Sequence, residues 1–108
     1  MKKFLLILAA FLAMHVSYAG NNPVSCKGDT PGSYVVASEK PNGNGSFQVI
    51  VSGYGDLKNG TVIVRLCRRN GNEGSDLRTV DIVNGHGEIT VDGIWTLASV
   101  GNPVCRVK

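Results

Sequence analysis

Three cysteines, a single histidine beyond residue 15 and a group of arginines are the residues of this 108-residue chain best suited to chemistry. Cys26, Cys67 and Cys105 lie about forty residues apart, whereas a zinc site draws three or four ligands from short spacings. No metal site is expected. A cysteine nucleophile needs a neighbouring base, and the one candidate, His86, stands between two glycines. That Gly-His-Gly setting reads as a turn tip, so no catalytic residue is assigned, no enzyme is expected and no cofactor is implied. Three cysteines allow one intramolecular bridge and leave one thiol over.

Arg65, Arg68 and Arg69, with Arg78 beyond a polar loop, could form a basic patch that meets an acidic glycan or a protein. The competing role for Arg68 and Arg69 is to guard a strand end against edge pairing. Trp95, the sole tryptophan, marks a binding face if exposed and fills the core if buried. These five residues are the candidate partner-binding set. The acidic residues mostly flank turns or alternate outward on strands. Glu73 and Asp76 share a loop, but a calcium site needs more oxygen ligands in order.

The chain starts Met-Lys-Lys, runs apolar from residue 4 to residue 14, and reaches Ser17 and Ala19. A short basic start, an apolar run and small residues at −3 and −1 predict a secretory signal peptide cleaved after Ala19. The run falls short of the ~20 residues that span a bilayer, so no stable membrane insertion is expected after cleavage. The reading is therefore a secreted or periplasmic protein.

Removing residues 1–19 takes Lys2 and Lys3 from eleven basic residues, leaving nine against eight acidic ones, a net of +1. That balance argues against nucleic-acid binding, which draws on a basic excess. The 89 residues left suffice for one small domain, of a size that often needs a covalent staple.

The elements that would position these residues are strands. Residues 60–70 are the most β-prone run, with Val62, Val64 and Leu66 alternating with Ile63, Arg65 and Cys67. Both faces are partly apolar, as a central strand requires. Residues 33–39 and 46–53 read as a hairpin across an Asn/Gly-rich reversal, with Phe47, Val49 and Val51 inward. Residues 77–83 and 88–92 read as a second hairpin. A two-residue loop there would set Asp81 against Glu88, so the expected loop is 84–87, with Ile82 opposite Ile89. Residues 94–98 and 103–107 complete seven strands, and residues 20–32 are an extended lead-in.

Seven short strands separated by Asn/Gly turns predict an all-β fold, a small antiparallel β-sandwich over residues 33–108, with a small β-barrel as the alternative. The Gly-Ile-Trp-Thr-Leu run at 93–97 resembles immunoglobulin-like and transthyretin-like bacterial sandwiches, in which Gly-x-aromatic-Thr-x precedes a late strand. Trp95 falls late in the chain, unlike in antibody domains, and no functional residue follows from the resemblance.

In such a sandwich the first and last strands lie side by side. Cys26–Cys105 is then the expected disulfide, with Cys67 a buried free thiol. The alternative, Cys67–Cys105, frees Cys26 for an intermolecular bond. The functional expectation is a non-enzymatic module that binds a protein or glycan, one version being an enzyme inhibitor that inserts loop 70–76. The alternative is an adhesin-type structural subunit that self-associates by strand addition. A small hydrolase ranks last.

Overall fold

The computed structural model describes residues 21–101 and Cys105. Seven strands follow one another: β1 (Asn21–Lys27), β2 (Tyr34–Pro41), β3 (Ser46–Tyr54), β4 (Gly60–Arg68), β5 (Ser75–Ile82), β6 (His86–Asp92) and β7 (Trp95–Val100). One 3-10 turn, Gly55–Leu57, links β3 to β4. The strands form two antiparallel sheets, ordered β1-β2-β3-β6 and β5-β4-β7, which do not close into a barrel. β4 is the centre of the smaller sheet, paired on both sides.

Period-2 alternation sets the core. Phe47, Val49 and Val51 of β3 are buried, as are Val62, Val64 and Leu66 of β4, while Ile63 and Arg65 face solvent. Val35 and Ala37 from β2, Val80 and Ile82 from β5, Val91 from β6, and Leu97 and Val100 from β7 fill the space between. Non-directional apolar burial of this kind holds the two layers together.

Half of the expected lead-in is a strand. Asn21–Lys27 pairs with β2 despite its Asn-Asn-Pro start, with an irregularity between Asn21 and Val24. Local propensity hid it: the segment lacks alternation, and pairing with β2 supplies what propensity does not. The strand expected over 103–107 falls, Cys105 apart, outside the described residues, as does the signal segment 1–19.

The 84–87 connection corrects the expected register. Asn84 and Gly85 form a two-residue turn at φ 54° and 86°, with Val83 and His86 exchanging backbone hydrogen bonds of 2.9 and 3.1 Å. These are the positive-φ positions of a type I′ turn. Asp81 and Glu88 nevertheless never face each other, because the strands part after this one bridge. β5 pairs with β4, placing Asp81 against Thr61, and β6 pairs with β3, placing Glu88 against Ile50. The expectation of a longer loop assumed that consecutive strands pair. Gly87 marks the parting point, since a Cβ there would collide with the carbonyl oxygen of Asp81.

At the other side of the sandwich, β1 lies beside β7. Cys26 and Cys105 form a disulfide, with Cα atoms 5.2 Å apart across a sequence separation of 79. The Cys105 amide also donates to the Lys27 carbonyl at 2.6 Å. Cys67 is a free thiol on β4, but half-buried and not enclosed as expected. Its odd-numbered position puts it on the outer face of the small sheet, which no layer covers among the described residues.

Candidate functional site

The outer face of the four-stranded sheet gathers side chains that the alternation turns away from the core. Tyr34 is the register partner of Tyr54, Ser52 of His86, Ile50 of Glu88 and Gln48 of Thr90. Tyr34 and Tyr54 stack, ring centroids 4.5 Å apart and planes inclined by 21°, and remain 38 % and 42 % exposed. A chain of polar contacts runs beside them. His86 Nε2 donates to Glu88 Oε2 at 2.7 Å, and Gln48 Nε2 donates to Glu88 Oε1 at 2.9 Å. Thr90 Oγ1 and Asn42 Nδ2 both donate to Gln48 Oε1, at 2.5 and 3.2 Å.

The hydrogen bond from His86, aided by that from Gln48, holds the Glu88 carboxyl below its ordinary range, outweighing a small opposing effect of burial. Glu88 is therefore an acceptor-only carboxylate at neutral pH. Strands about 4.8 Å apart space these groups regularly. The result is a flat aromatic surface continuous with a row of ordered donors and acceptors, all in contact with water. Such a face can stack against a ring and bind its substituents.

A second feature lies where β1, β2 and β7 meet. Glu39 on β2 turns inward and is 5 % exposed. Oε1 accepts from Arg69 Nη2 at 2.8 Å. Oε2 accepts from Thr96 Oγ1 at 2.6 Å, Leu97 N at 2.8 Å and Asn22 Nδ2 at 3.0 Å. Burial raises this carboxyl's pKa, and the four hydrogen bonds together outweigh it, leaving the group below its ordinary value. Asn22, held at φ 55°, a conformation that asparagine tolerates, also donates to the Leu97 carbonyl at 2.5 Å. Side chains from one sheet thus satisfy the backbone at the edge of the other. An open cleft of about 740 Å³ lies over this cluster, bordered by Phe47, Ser46 and Ala98.

The candidate partner-binding residues do not share a surface. Arg69 is tied to Glu39, to the Gly93 carbonyl at 3.0 Å, and over the Phe47 ring at 5.2 Å. Arg68 lies over Trp95, 5.6 Å from its centroid, and its Nε has no partner among the described residues. Trp95 itself is half-buried against the core. Arg78 pairs with Asp76 at 2.7 Å, while Arg65, one register step away opposite Leu77, points to the other face. The four arginines are thus divided between a latch, a stacked pair, a surface ion pair and one side chain, that of Arg65, with no hydrogen-bond or ion-pair partner among the described residues.

Sequence reasoning missed the tyrosine pair, although the signal was present. Pairing 33–39 with 46–53 across the Asn/Gly reversal places Tyr34 opposite Tyr54 once the register is counted out. His86, expected at a turn tip, is the first residue of β6, so its side chain joins the Glu88 row. Among the described residues no three of His, Cys, Asp and Glu group closely enough to hold a metal ion. Comparison of the chain with protein-family models, with curated proteins and with solved structures finds no match.

Proposed function

We propose that the protein is an exported, non-enzymatic binding module that takes a glycan on the outer face of its four-stranded sheet. One observation carries the reading: a stacked, solvent-facing tyrosine pair continuous with the His86, Glu88, Gln48 and Thr90 row. A pyranose ring has an apolar face of C–H groups that packs on an aromatic ring, and a rim of hydroxyls that pair with carboxylate, amide and imidazole groups. The tyrosines supply the first contact and the polar row the second. Protein partners favour a larger apolar centre with a desolvated anchor. This face, with a polar row beside the tyrosines, suits a hydroxylated ligand better.

Export is supported by the Cys26–Cys105 disulfide, since such bonds persist outside the reducing cytosol. Among the described residues no helix is long and apolar enough to cross a membrane. Kinship with immunoglobulin-like domains rests on the two-layer antiparallel architecture. The sheet membership, 1-2-3-6 and 5-4-7, differs from the ABED and CFG sets of those domains.

Affinity electrophoresis through gels containing different soluble polysaccharides tests the proposal. At least one polysaccharide should retard the protein, and Tyr54→Ala should abolish the retardation while leaving the far-ultraviolet spectrum unchanged. Retardation that survives both Tyr34→Ala and Tyr54→Ala, or none across neutral, acidic and amino-sugar polymers, refutes it.

A further inference from the structure

The edge of the small sheet at β5 carries an assembly register in its own side chains. β5 is paired with β4 without a register shift from Ser75 to Cys67 through Ile82 to Gly60, and its other edge borders no strand of its own sheet. Backbone groups of successive residues in a strand point alternately to its two edges. Val83 directs its N–H and C=O to His86, away from β4, and the Asp81 carbonyl faces Gly87 on the same side. By alternation, Ser75, Leu77 and Thr79 present their N–H and C=O groups to that edge. β6 covers it near Asp81 and then departs to pair with β3. Among the described residues, no strand pairs with the rest.

Residues 75–79 carry two charges on the core-facing side of the strand, opposite Leu66 and Val64, and none of the other usual edge protections. The stretch contains no proline, lysine or bulge, and Leu77 on its outer face is 62 % exposed beside Ile63. Its two charges, Asp76 and Arg78, lie two residues apart on the same side of the strand, with opposite signs. Like charges would repel a second edge. Opposite charges at this spacing complement themselves in one register.

We propose that β5 pairs antiparallel with β5 of a second copy of this chain, with Leu77 on the two-fold axis. A two-fold axis normal to the sheet keeps outer faces together and pairs residues symmetrically about one position. Centred on residue 76 it opposes two aspartates, and centred on 78 two arginines. Centred on 79 it sets Leu77 against Asp81 and Asp76 against Ile82. Centred on 77 it sets Asp76 against Arg78 twice, Ser75 against Thr79 twice, and Leu77 against Leu77. That register alone matches charge with charge and apolar with apolar. The intrachain Asp76–Arg78 pair, half-exposed on both sides, re-forms between copies, and the two small sheets become one of six strands.

Sedimentation velocity of the protein carrying Cys67→Ser, which removes thiol-linked dimers, tests the register. A reversible monomer–dimer equilibrium is expected. Asp76→Arg alone and Arg78→Asp alone each create like-charge pairs across the axis and should raise the dissociation constant about tenfold or more. An equimolar mixture of the two variants should dimerise again, because each then faces its opposite. No intrachain contact is restored by mixing, so a merely structural role for these residues predicts no recovery. Leu77→Lys, at a solvent-facing position, puts two ammonium groups on the axis and should weaken dimerisation as well. A protein that stays monomeric up to about 1 mM, dimers insensitive to all three substitutions, or a mixture that fails to recover each overturns the proposal.

Discussion

Glu39→Ala removes one carboxylate that accepts from four donors. Leu97 N–H is a main-chain group at the edge of the small sheet, and its bond to Glu39 is buried. A buried donor stripped of its partner costs about 1–3 kcal/mol. Arg69 is half-exposed and recovers most of its hydration, so its share is discounted to at most about 1 kcal/mol. Thr96 Oγ1 can rotate toward water, and the Asn22 amide retains its bond to the Leu97 carbonyl. The total is about 3 kcal/mol, or a fall in Tm of roughly 12–24 °C for a domain of this size.

Glu39→Gln keeps one acceptor oxygen and should cost about half as much. The same carboxylate gives an acid limb whose sign is fixed. Its folded pKa lies below the ordinary 4.5, so its contribution is complete above the unfolded value and disappears as pH falls through the folded one. Urea unfolding at pH 7 and at several points below pH 5 measures both effects. A loss under 1 kcal/mol for Glu39→Ala, or an acid limb unchanged in Glu39→Gln, refutes the latch.

Other substitutions test separate parts of the fold. Cys105→Ser opens a loop closed across 79 residues and should cost about 4–5 kcal/mol in the chain-entropy account, whereas Cys67→Ser should leave the denaturation midpoint unmoved. Gly87→Ala drives a Cβ into the Asp81 carbonyl and should cost about 3 kcal/mol or more; a normal Tm would mean that β5 and β6 do not part there. Tyr54→Ala should cost only about 0.5–1.5 kcal/mol from lost stacking, measured by thermal melting, so its effect on glycan retention is separable from unfolding.

The core was legible wherever alternation was strict. Phe47, Val49 and Val51, and Val62, Val64 and Leu66, point inward as period 2 requires, because burial on one face fixes parity. Pairing partners were not legible. The 77–83 and 88–92 runs read as a hairpin, yet each pairs with a strand in a different sheet, a non-local choice that a local turn signal does not encode. Asn21–Lys27 and Glu39 escaped for a related reason. The first becomes a strand because β2 offers an edge, and the second is buried because Arg69, Thr96 and Leu97, 30 to 58 residues away, converge on it. The tyrosine pair lay between these cases, since its hairpin was read but its register was not followed to the end.

The two sides of the sandwich are finished differently, and the difference bears on function. At the β1–β7 side the Leu97 N–H and C=O are taken by Glu39 and Asn22, and the disulfide fastens Cys26 to Cys105. The two hydrogen bonds occupy the Leu97 backbone groups that an added strand would need at this point in β7. At the β5 side the chain uses one tight crossing at Gly87 and leaves Ser75, Leu77 and Thr79 with backbone groups directed outward. A sheet with one edge capped and one open can extend in a single direction, and a two-fold register then stops it at two copies. The proposed pairing would give closed dimers, not open fibres, through the small sheet, because its one open edge would then be taken. The tyrosine face belongs to the other sheet, so pairing through β5 leaves it uncovered. Each dimer would then carry two copies of the glycan face, and a polymeric ligand with repeating units could engage both if their spacing matched.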